Sequence, residues 1–385
     1  MSGIKVGLDA TSLVYGRGVS RYTANLIRAL TLQSADIDLS VYAVANKHHR
    51  KELSKAINSL RPEGGERFAL HLETTPLRLQ QLKWRLGLSP ISRHFPNLEV
   101  LHSWDYLQPP DKNIPLVSTI HDVSMLKYPD TAHSAILAAH QYSWRLLQDR
   151  GAQIITDSQQ SREDIINYLG FAPYQVTTIP LAVPQETIDL AHNLTSDQYQ
   201  IIQNELLVGP NYRPYIFFVG TREPRKNLSR MIAAWQSLDV DLDFIIAGAE
   251  GWDRDIDFIP SPSRQLRFLG RVSDAQLAVL YNEAQFLAFC SLDEGFGLPV
   301  LEAFYYGTRV LTSDIPVMRE VGGDAAVFVN PQDKESIRQG MINLLEENTK
   351  KQTLRAQKMR LQNEKFSWQK TAQDTIAVYQ KSLTS

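Results

Sequence analysis

A single cysteine, Cys290, stands among 385 residues, which excludes an intrachain disulfide and a cysteine zinc site. It sits in the apolar run 286–291, where a buried strand thiol is expected rather than a reactive one. Net charge is nearly absent as well: 40 Lys and Arg meet 42 Asp and Glu, a formal charge of -2. Broad nucleic-acid binding needs a basic face to displace condensed counterions, so that class is excluded, whereas a local basic pocket for a phosphorylated ligand is not. No apolar run approaches the ~20 residues that span a bilayer. The first nine residues lack the charged head and long apolar stretch of a signal peptide and read as a strand. A cytoplasmic location is expected, with peripheral membrane contact and oligomeric state left open. Internal repeats, low-complexity tracts and long charge blocks are missing too.

What is present is an ordinary globular balance, 43% hydrophobic and 21% charged, and at roughly 100–200 residues per domain the length implies two or three domains. Short apolar strands alternate with amphipathic helices in both halves, the pattern of α/β parallel sheets covered on both faces. Candidate strands in the first half are 4–9, 39–43, 68–72, 100–102, 116–120 and 153–156. A helix is expected over 161–170, opened by Ser161 with Asp164 at capping-box spacing and stopped by Gly170. The pattern breaks over 184–213, where Pro184, Gly209, Pro210 and Pro214 punctuate polar, helix-forming stretches, and this reads as a linker region. Strands resume at 215–220, 243–248, 266–269, 285–290, 309–312 and 325–329. Domains are therefore expected over 1–190 and 205–367. The closing helix, 368–385, fits either a cap on the second domain or a return to the first. Ligands bind at the carboxyl ends of strands in open α/β sheets, so a crevice shared by the two domains is the expected site.

The most informative stretch is 293–307, which reads Asp-Glu-Gly-Phe-Gly-Leu-Pro-Val-Leu-Glu-Ala-Phe-Tyr-Tyr-Gly. Proline suits the first turn of a helix and glycine the position past its end, so 299–306 is expected to be a short helix. Its free N–H groups near Gly297, Leu298 and Val300, on either side of Pro299, would receive phosphate oxygens, and Gly295 and Gly297 permit their approach beside Phe296. Glu294 and Glu302 bracket the helix start, and ionised carboxylates accept hydrogen bonds from vicinal hydroxyls. A second stretch, 218–228, ends a strand in Gly220 and then packs Arg222, Arg225 and Lys226 into five residues after Thr221. Departure of a diphosphate without a metal needs such fixed positive charge. Arg222 and Lys226 are the candidates, with Arg225 as a substitute. Leu269, Arg271 and Val272 follow a later strand.

In the first half, Asp9 ends a strand and Gly16 and Gly18 precede Arg21. A dinucleotide fingerprint needs a third glycine where Arg21 stands, which speaks against a nicotinamide dehydrogenase. His121 and Asp122 end the 116–120 strand, with Asp122 a candidate to orient the imidazole. His102, Trp104 and Asp105 end an earlier one. Asp-x-Asp strings at 239–243 and 253–257 are read as surface acids, not as a metal site.

The Glu-x7-Glu spacing within Glu294-Gly-Phe-Gly-Leu-Pro-x3-Glu302-Ala resembles the signature of family 4 glycosyltransferases. Similar strings are Gly220 to Asn227, Thr-Ile-His121-Asp122, Thr156-Asp-Ser158 with Ser161-Arg162, and Phe366-Ser367-Trp368. The family commonly has arginine directly after the glycine, where this chain has Thr221. The resemblance implies a GT-B fold, two Rossmann-like parallel-sheet domains with a cleft between them. It implies a retaining, metal-independent hexosyltransferase acting in polysaccharide biosynthesis, with a nucleotide-sugar donor and a glycan or lipid-linked acceptor. UDP-glucose is slightly favoured over GDP-mannose. By matching position, Glu294 lies by the donor sugar, Glu302 holds the ribose hydroxyls, and Leu269, Arg271 and Val272 read the base. Lys226 aligns with the diphosphate cation, with Thr221 and Arg222 beside it. Gly18 lies near the diphosphate and His121 by the donor sugar and acceptor hydroxyl. Arg21, His102, Trp104 and Asp122 fall on the acceptor side. The 77–95 stretch mixes Arg78, Lys83, Arg85 and Arg93 with Leu77, Leu79, Leu82 and Leu86, and fits either a loop over the acceptor or a membrane contact. A nucleotide-sugar epimerase and a binding-only protein on the same fold are the alternatives.

Overall fold

The computed structural model describes residues 3–16, 18–33, 36–45, 50–61, 68–129, 134–207, 213–253, 258–261 and 264–384. Gly209, Pro210 and the 254–257 part of the second Asp-x-Asp string lie outside them. The chain divides into two compact units, Met1–Leu181 with Ser367–Ser385, and Ala182–Phe366.

The first unit is built on β1 (Ile4–Asp9), β2 (Ile37–Val44), β3 (Phe68–Glu73), β4 (Val100–Trp104), β5 (Leu116–Thr119), β6 (Gln153–Thr156) and β7 (Val176–Thr178). They form one sheet in the order β3-β2-β1-β4-β5-β6-β7, every pairing parallel. Helices cover such a sheet on both faces, which is why β5 and β6 are buried at every residue instead of alternating. The closing helix, Trp368–Ser382, belongs here. Ser367 caps it, its side chain accepting the amide of Lys370. Its apolar face, with Ala372, Ile376 and Tyr379, is buried against the helix Gly18–Thr31, and the Thr371 hydroxyl donates to the carbonyl of Pro180 at 2.7 Å.

The second unit holds β8 (Tyr215–Val219), β9 (Asp243–Ala247), β10 (Leu266–Gly270), β11 (Phe286–Phe289), β12 (Val310–Ser313) and β13 (Val327–Val329). Their order is β10-β9-β8-β11-β12-β13, again parallel throughout. Strand order reverses between β1 and β4 in the first sheet and between β8 and β11 in the second. In doubly wound sheets that reversal opens a crevice at the strands' carboxyl ends.

The helix-forming stretches of the 184–213 region are indeed two helices, Gln185–Asn193 and Ser196–Leu207. Some local expectations are corrected. The helix expected from Ser161 starts at Gln159, because Ser158 is the cap and its Oγ accepts the Ser161 amide at 3.1 Å. It still stops at Gly170, in the left-handed region. Asp243 is not a surface acid: it is buried at the start of β9, its Oδ1 accepting the Gln265 amide at 2.8 Å, while Asp239 and Asp241 are exposed.

Candidate active site

The loops after β8 and β11 flank the reversal point of the second sheet, and they hold the residues singled out there. After β8 the chain passes Gly220 and makes a single 3-10 turn, Pro224–Lys226, closed by Asn227 in the left-handed region. Asn227 is buried and anchors the turn: its amide nitrogen donates to the carbonyls of Cys290 at 2.9 Å and Pro331 at 2.7 Å. This turn brings Lys226 Nζ within 2.6 Å of Glu294 Oε1 and Arg225 Nη1 within 3.2 Å of Glu294 Oε2. Burial alone would raise the Glu294 pKa. The charges of Lys226 and Arg225, with the hydrogen bond from Lys226, outweigh it, so the carboxyl stays below its ordinary value.

Arg222 is placed elsewhere. Its guanidinium pairs with the exposed Glu250 at 2.7 Å and covers the Phe268 ring at 4.9 Å. The second cation beside Glu294 is therefore Arg225, while Arg222 is drawn away to Glu250 and Phe268. Thr221 is half-buried. Leu269 is half-buried as the next-to-last residue of β10, Arg271 is exposed and Val272 half-buried, ahead of the helix Asp274–Glu283 with its Ser273–Gln276 capping box.

Past β11, Glu294 and Gly295 lead to Phe296, which is buried against Phe366 with ring centroids 5.7 Å apart. Gly297 then takes a φ of 111° as the cap of the helix Leu298–Tyr305, with Pro299 in its first turn. A side chain at Gly297 would start 2.7 Å from Met318 Cε. Glycine is required by backbone angle, since the Met318 side chain could shift to make room. Glu302 lies one turn into this helix and is buried, its Oε2 accepting the Tyr281 hydroxyl at 2.9 Å. The unit thus presents two cations, a helix start and two carboxylates around one reversal point.

The first unit gathers a different set at the ends of β1, β4, β5 and β6. His121 Nδ1 lies 2.5 Å from Asp157 Oδ2, and its ring meets Tyr22 edge-on at 4.8 Å. Burial alone would lower the His121 pKa, but Asp157, with Asp105 and Asp122, raises it to about 9. Asp157 sits above the usual carboxylate range because burial outweighs the attraction of His121. Both shifts keep a proton between the two groups across neutral pH. His121 Nε2 has no partner among the described residues.

The partner of His121 is thus Asp157 and not Asp122, whose Oδ1 accepts the amide and hydroxyl of Ser124 at 2.9 and 2.6 Å. Strand pairing decides this, since β5 and β6 are neighbours and their ends converge. His102 is buried, Nδ1 at 2.7 Å from the Tyr379 hydroxyl and Nε2 at 2.8 Å from Thr119 Oγ1. Both nitrogens are taken, so it supports Thr119 and the closing helix in place of presenting a nitrogen to an acceptor. Burial and the nearby His121 charge push its pKa down to about 3. Trp104 ends β4 half-buried, and Asp105 pairs with His140 at 3.3 Å. Asp9 is buried at the end of β1, and burial, opposed by bonds from Thr11 and Trp104, raises it to about 6. Gly18 opens the helix Gly18–Thr31 exposed, with no atom within 4 Å of where a side chain would begin, and Arg21 follows half-buried.

Three site residues were not identifiable as such from sequence. Asp157 lies in the string Thr156-Asp-Ser158, at a strand end, which is the signal that marks it. Tyr281 and Asn227 carry no local mark, since their partners are 21 and 63 residues away.

Comparison with known proteins bears on both units. Residues 16–187 match the profile described as Glycosyltransferase Family 4, and residues 206–361 match that of Glycosyl transferases group 1. O-antigen chain mannosyltransferase B of Escherichia coli is 26% identical over 94% of this chain and 95% of its own length. Serotype-specific mannosyltransferase WbdA of the same organism is 30% identical over 62% of this chain, which spans only 30% of that longer protein. Among solved structures, a glycosyltransferase from Rickettsia africae ESF-5 superposes with a TM-score of 0.68 at 17% identity, over 100% of both chains. At that identity the likeness speaks for the fold.

Proposed function

We propose, from the premise that the chain is a GT-B-fold glycosyltransferase related to the group 1 and family 4 transferases, that it transfers mannose from GDP-mannose to a lipid-carried glycan. The observation that carries the transfer site is the Lys226–Glu294–Arg225 cluster at the reversal point of the second sheet. Two cations beside a helix start can hold a diphosphate and stabilise it as it leaves, with no divalent ion. Glu302 then takes the ribose hydroxyls and Glu294 the hydroxyls of the sugar.

The reaction proceeds with retention on the face from which the diphosphate departs. The bond from the anomeric carbon to phosphate oxygen breaks as the acceptor oxygen bonds to that carbon. The acceptor's proton passes to the departing phosphate oxygen. Protonated His121 donates from Nε2 to the donor sugar or acceptor hydroxyl, and its contribution is positional and electrostatic.

Mannose replaces the glucose favoured on sequence alone because the motifs carry no base or sugar preference, whereas the full-length Escherichia coli relative and WbdA are both mannosyltransferases by name. A lipid-carried acceptor is supported by the helix Leu77–Arg85, which exposes Leu79 and Leu82 beside Arg78 and Arg85.

Calorimetric titration of GDP-mannose and UDP-glucose into the wild type and Lys226→Ala tests this reading. GDP-mannose is expected to bind at least about tenfold more tightly than UDP-glucose, a difference of ~1.4 kcal/mol. Lys226→Ala is expected to weaken GDP-mannose binding by about 30-fold, the ~2 kcal/mol of a charge-assisted hydrogen bond. Equal or reversed donor affinities end the mannose reading. Undiminished binding in the variant ends the placement of the diphosphate.

A further inference from the structure

We infer that the first unit carries a second site, separate from the residues of transfer: a divalent transition-metal site of the zinc type, formed by His71, Glu73 and His94. One donor atom from each of these side chains lies within 4.8 Å of the other two. Three different local features bring them together. His71 and Glu73 are two apart on β3, the edge strand of the sheet, so they share one face of it. His94 closes the 3-10 turn Ile91–Arg93, and that turn is fixed because the amides of Ile91 and Ser92 both donate to the Asp111 carboxylate at 2.9 Å. The His71 and His94 rings then lie face to face, centroids 3.6 Å apart and planes 21° apart.

Glu73 is oriented from behind. Its Oε1 accepts the Thr75 amide at 2.9 Å and the Thr75 hydroxyl at 2.7 Å, the kind of outer bond that holds a ligating carboxylate in place. Lys83 Nζ in turn donates to Thr75 Oγ1 at 3.1 Å. Aromatic packing accounts for Tyr42 lying against both rings, at 5.7 and 6.1 Å. It does not account for a fixed carboxylate beside two half-buried imidazoles.

Two imidazoles and a carboxylate make a donor set suited to zinc, with a fourth position for water. Zinc ligand distances of ~2.0–2.2 Å place tetrahedral donors about 3.3–3.5 Å apart, so binding draws the three side chains inward by roughly an ångström. The ion would tie edge strand β3 to the 91–94 turn. It is a structural tie and takes no part in the metal-free departure of the diphosphate.

The test is zinc content and thermal stability of the full chain equilibrated with zinc chloride and then freed of unbound ion. The wild type is expected to retain one zinc per chain and to melt about 3–8 °C higher than after chelation, as for a ligand held well above its Kd. Glu73→Gln and His94→Gln, checked for a wild-type circular dichroism spectrum, are expected to lose at least nine-tenths of the zinc and the thermal shift. His192→Gln, on a helix of the second unit, is expected to keep both. X-ray absorption of the wild-type complex is expected to show two imidazoles in the zinc shell, a readout independent of any variant. No retained zinc, equal retention in the two variants, or a shell without imidazole overturns the proposal.

Discussion

His121 shows how far a side chain's chemistry depends on neighbours distant in sequence. Its folded pKa is raised to about 9 by Asp157 against the cost of burial, while an unfolded histidine titrates near ~6.5. The folded state therefore binds the extra proton more tightly. Its contribution to stability is complete below pH ~6.5, declines as pH rises and is gone above about 9. Denaturation midpoints of the wild type should fall between pH 7 and 9.5. Asp157→Asn should be the less stable protein at pH 7, by about 3 kcal/mol if the buried pair behaves as such pairs do, and should lose most of the slope. A wild-type slope retained in the variant would mean that another group titrates there. At this scale the candidate site was only partly legible. Glu294, Glu302 and Lys226 stand out because helix punctuation and charge crowd into short strings. Asp122 was the natural orienter of His121 by adjacency, yet successive residues at a strand end project apart, and the carboxylate that reaches the ring comes from the next strand.

The elements were legible where their physics is local. Strands of four or more apolar residues ending in glycine or a polar residue could be placed to within two or three residues, because burial on both faces leaves a continuous apolar run. β7, with three residues, is too short to show a pattern, and the helices within 185–207 are polar enough on their outer faces to pass for a linker. What no string reveals is how closely strand ends approach. Gly248, with φ 142°, follows β9, and a side chain there would begin 1.9 Å from the carbonyl oxygen of Gly220. Gly220 opens the loop that carries Arg225 and Lys226, so this contact sets where the cations sit. Gly270 ends β10 with φ 68° and has no atom within 4 Å of that position. Alanine at 270 should cost about 1 kcal/mol, from backbone angle alone. Alanine at 248 must also move backbone and should cost about 2–4 kcal/mol, while weakening GDP-mannose binding. Comparison of thermal midpoints and titrations decides it; equal losses at the two glycines would refute the close-approach account.

For the whole molecule, the open matter is where it works. Among the described residues no helix is long and apolar enough to cross a membrane. The helix Leu77–Arg85 and its exit carry an exposed apolar face rimmed by arginines. Gln80 and Trp84, four apart, are buried, and Trp84 Nε1 donates to the Ser89 carbonyl at 2.9 Å, which fixes the helix on the unit. The opposite side leaves Leu79, Leu82, Leu86 and Leu88 from 47% to 65% exposed, with Arg78, Arg85 and Arg93 exposed around them. Burying four leucines in the acyl boundary offers several kcal/mol, about 1–2 each after partial exposure is counted, and each cation near an anionic surface adds about 1 kcal/mol. The protein should therefore co-sediment with vesicles containing anionic lipid and much less with neutral ones. Leu82→Asp with Leu86→Asp should abolish that binding while leaving GDP-mannose titration unchanged, because Lys226, Glu294 and Glu302 lie in the other unit. Salt should weaken wild-type binding only in part, since the leucine contribution is unscreened. Absence of co-sedimentation at low salt would leave the exposed leucines as a cover over the acceptor and remove the membrane from the account.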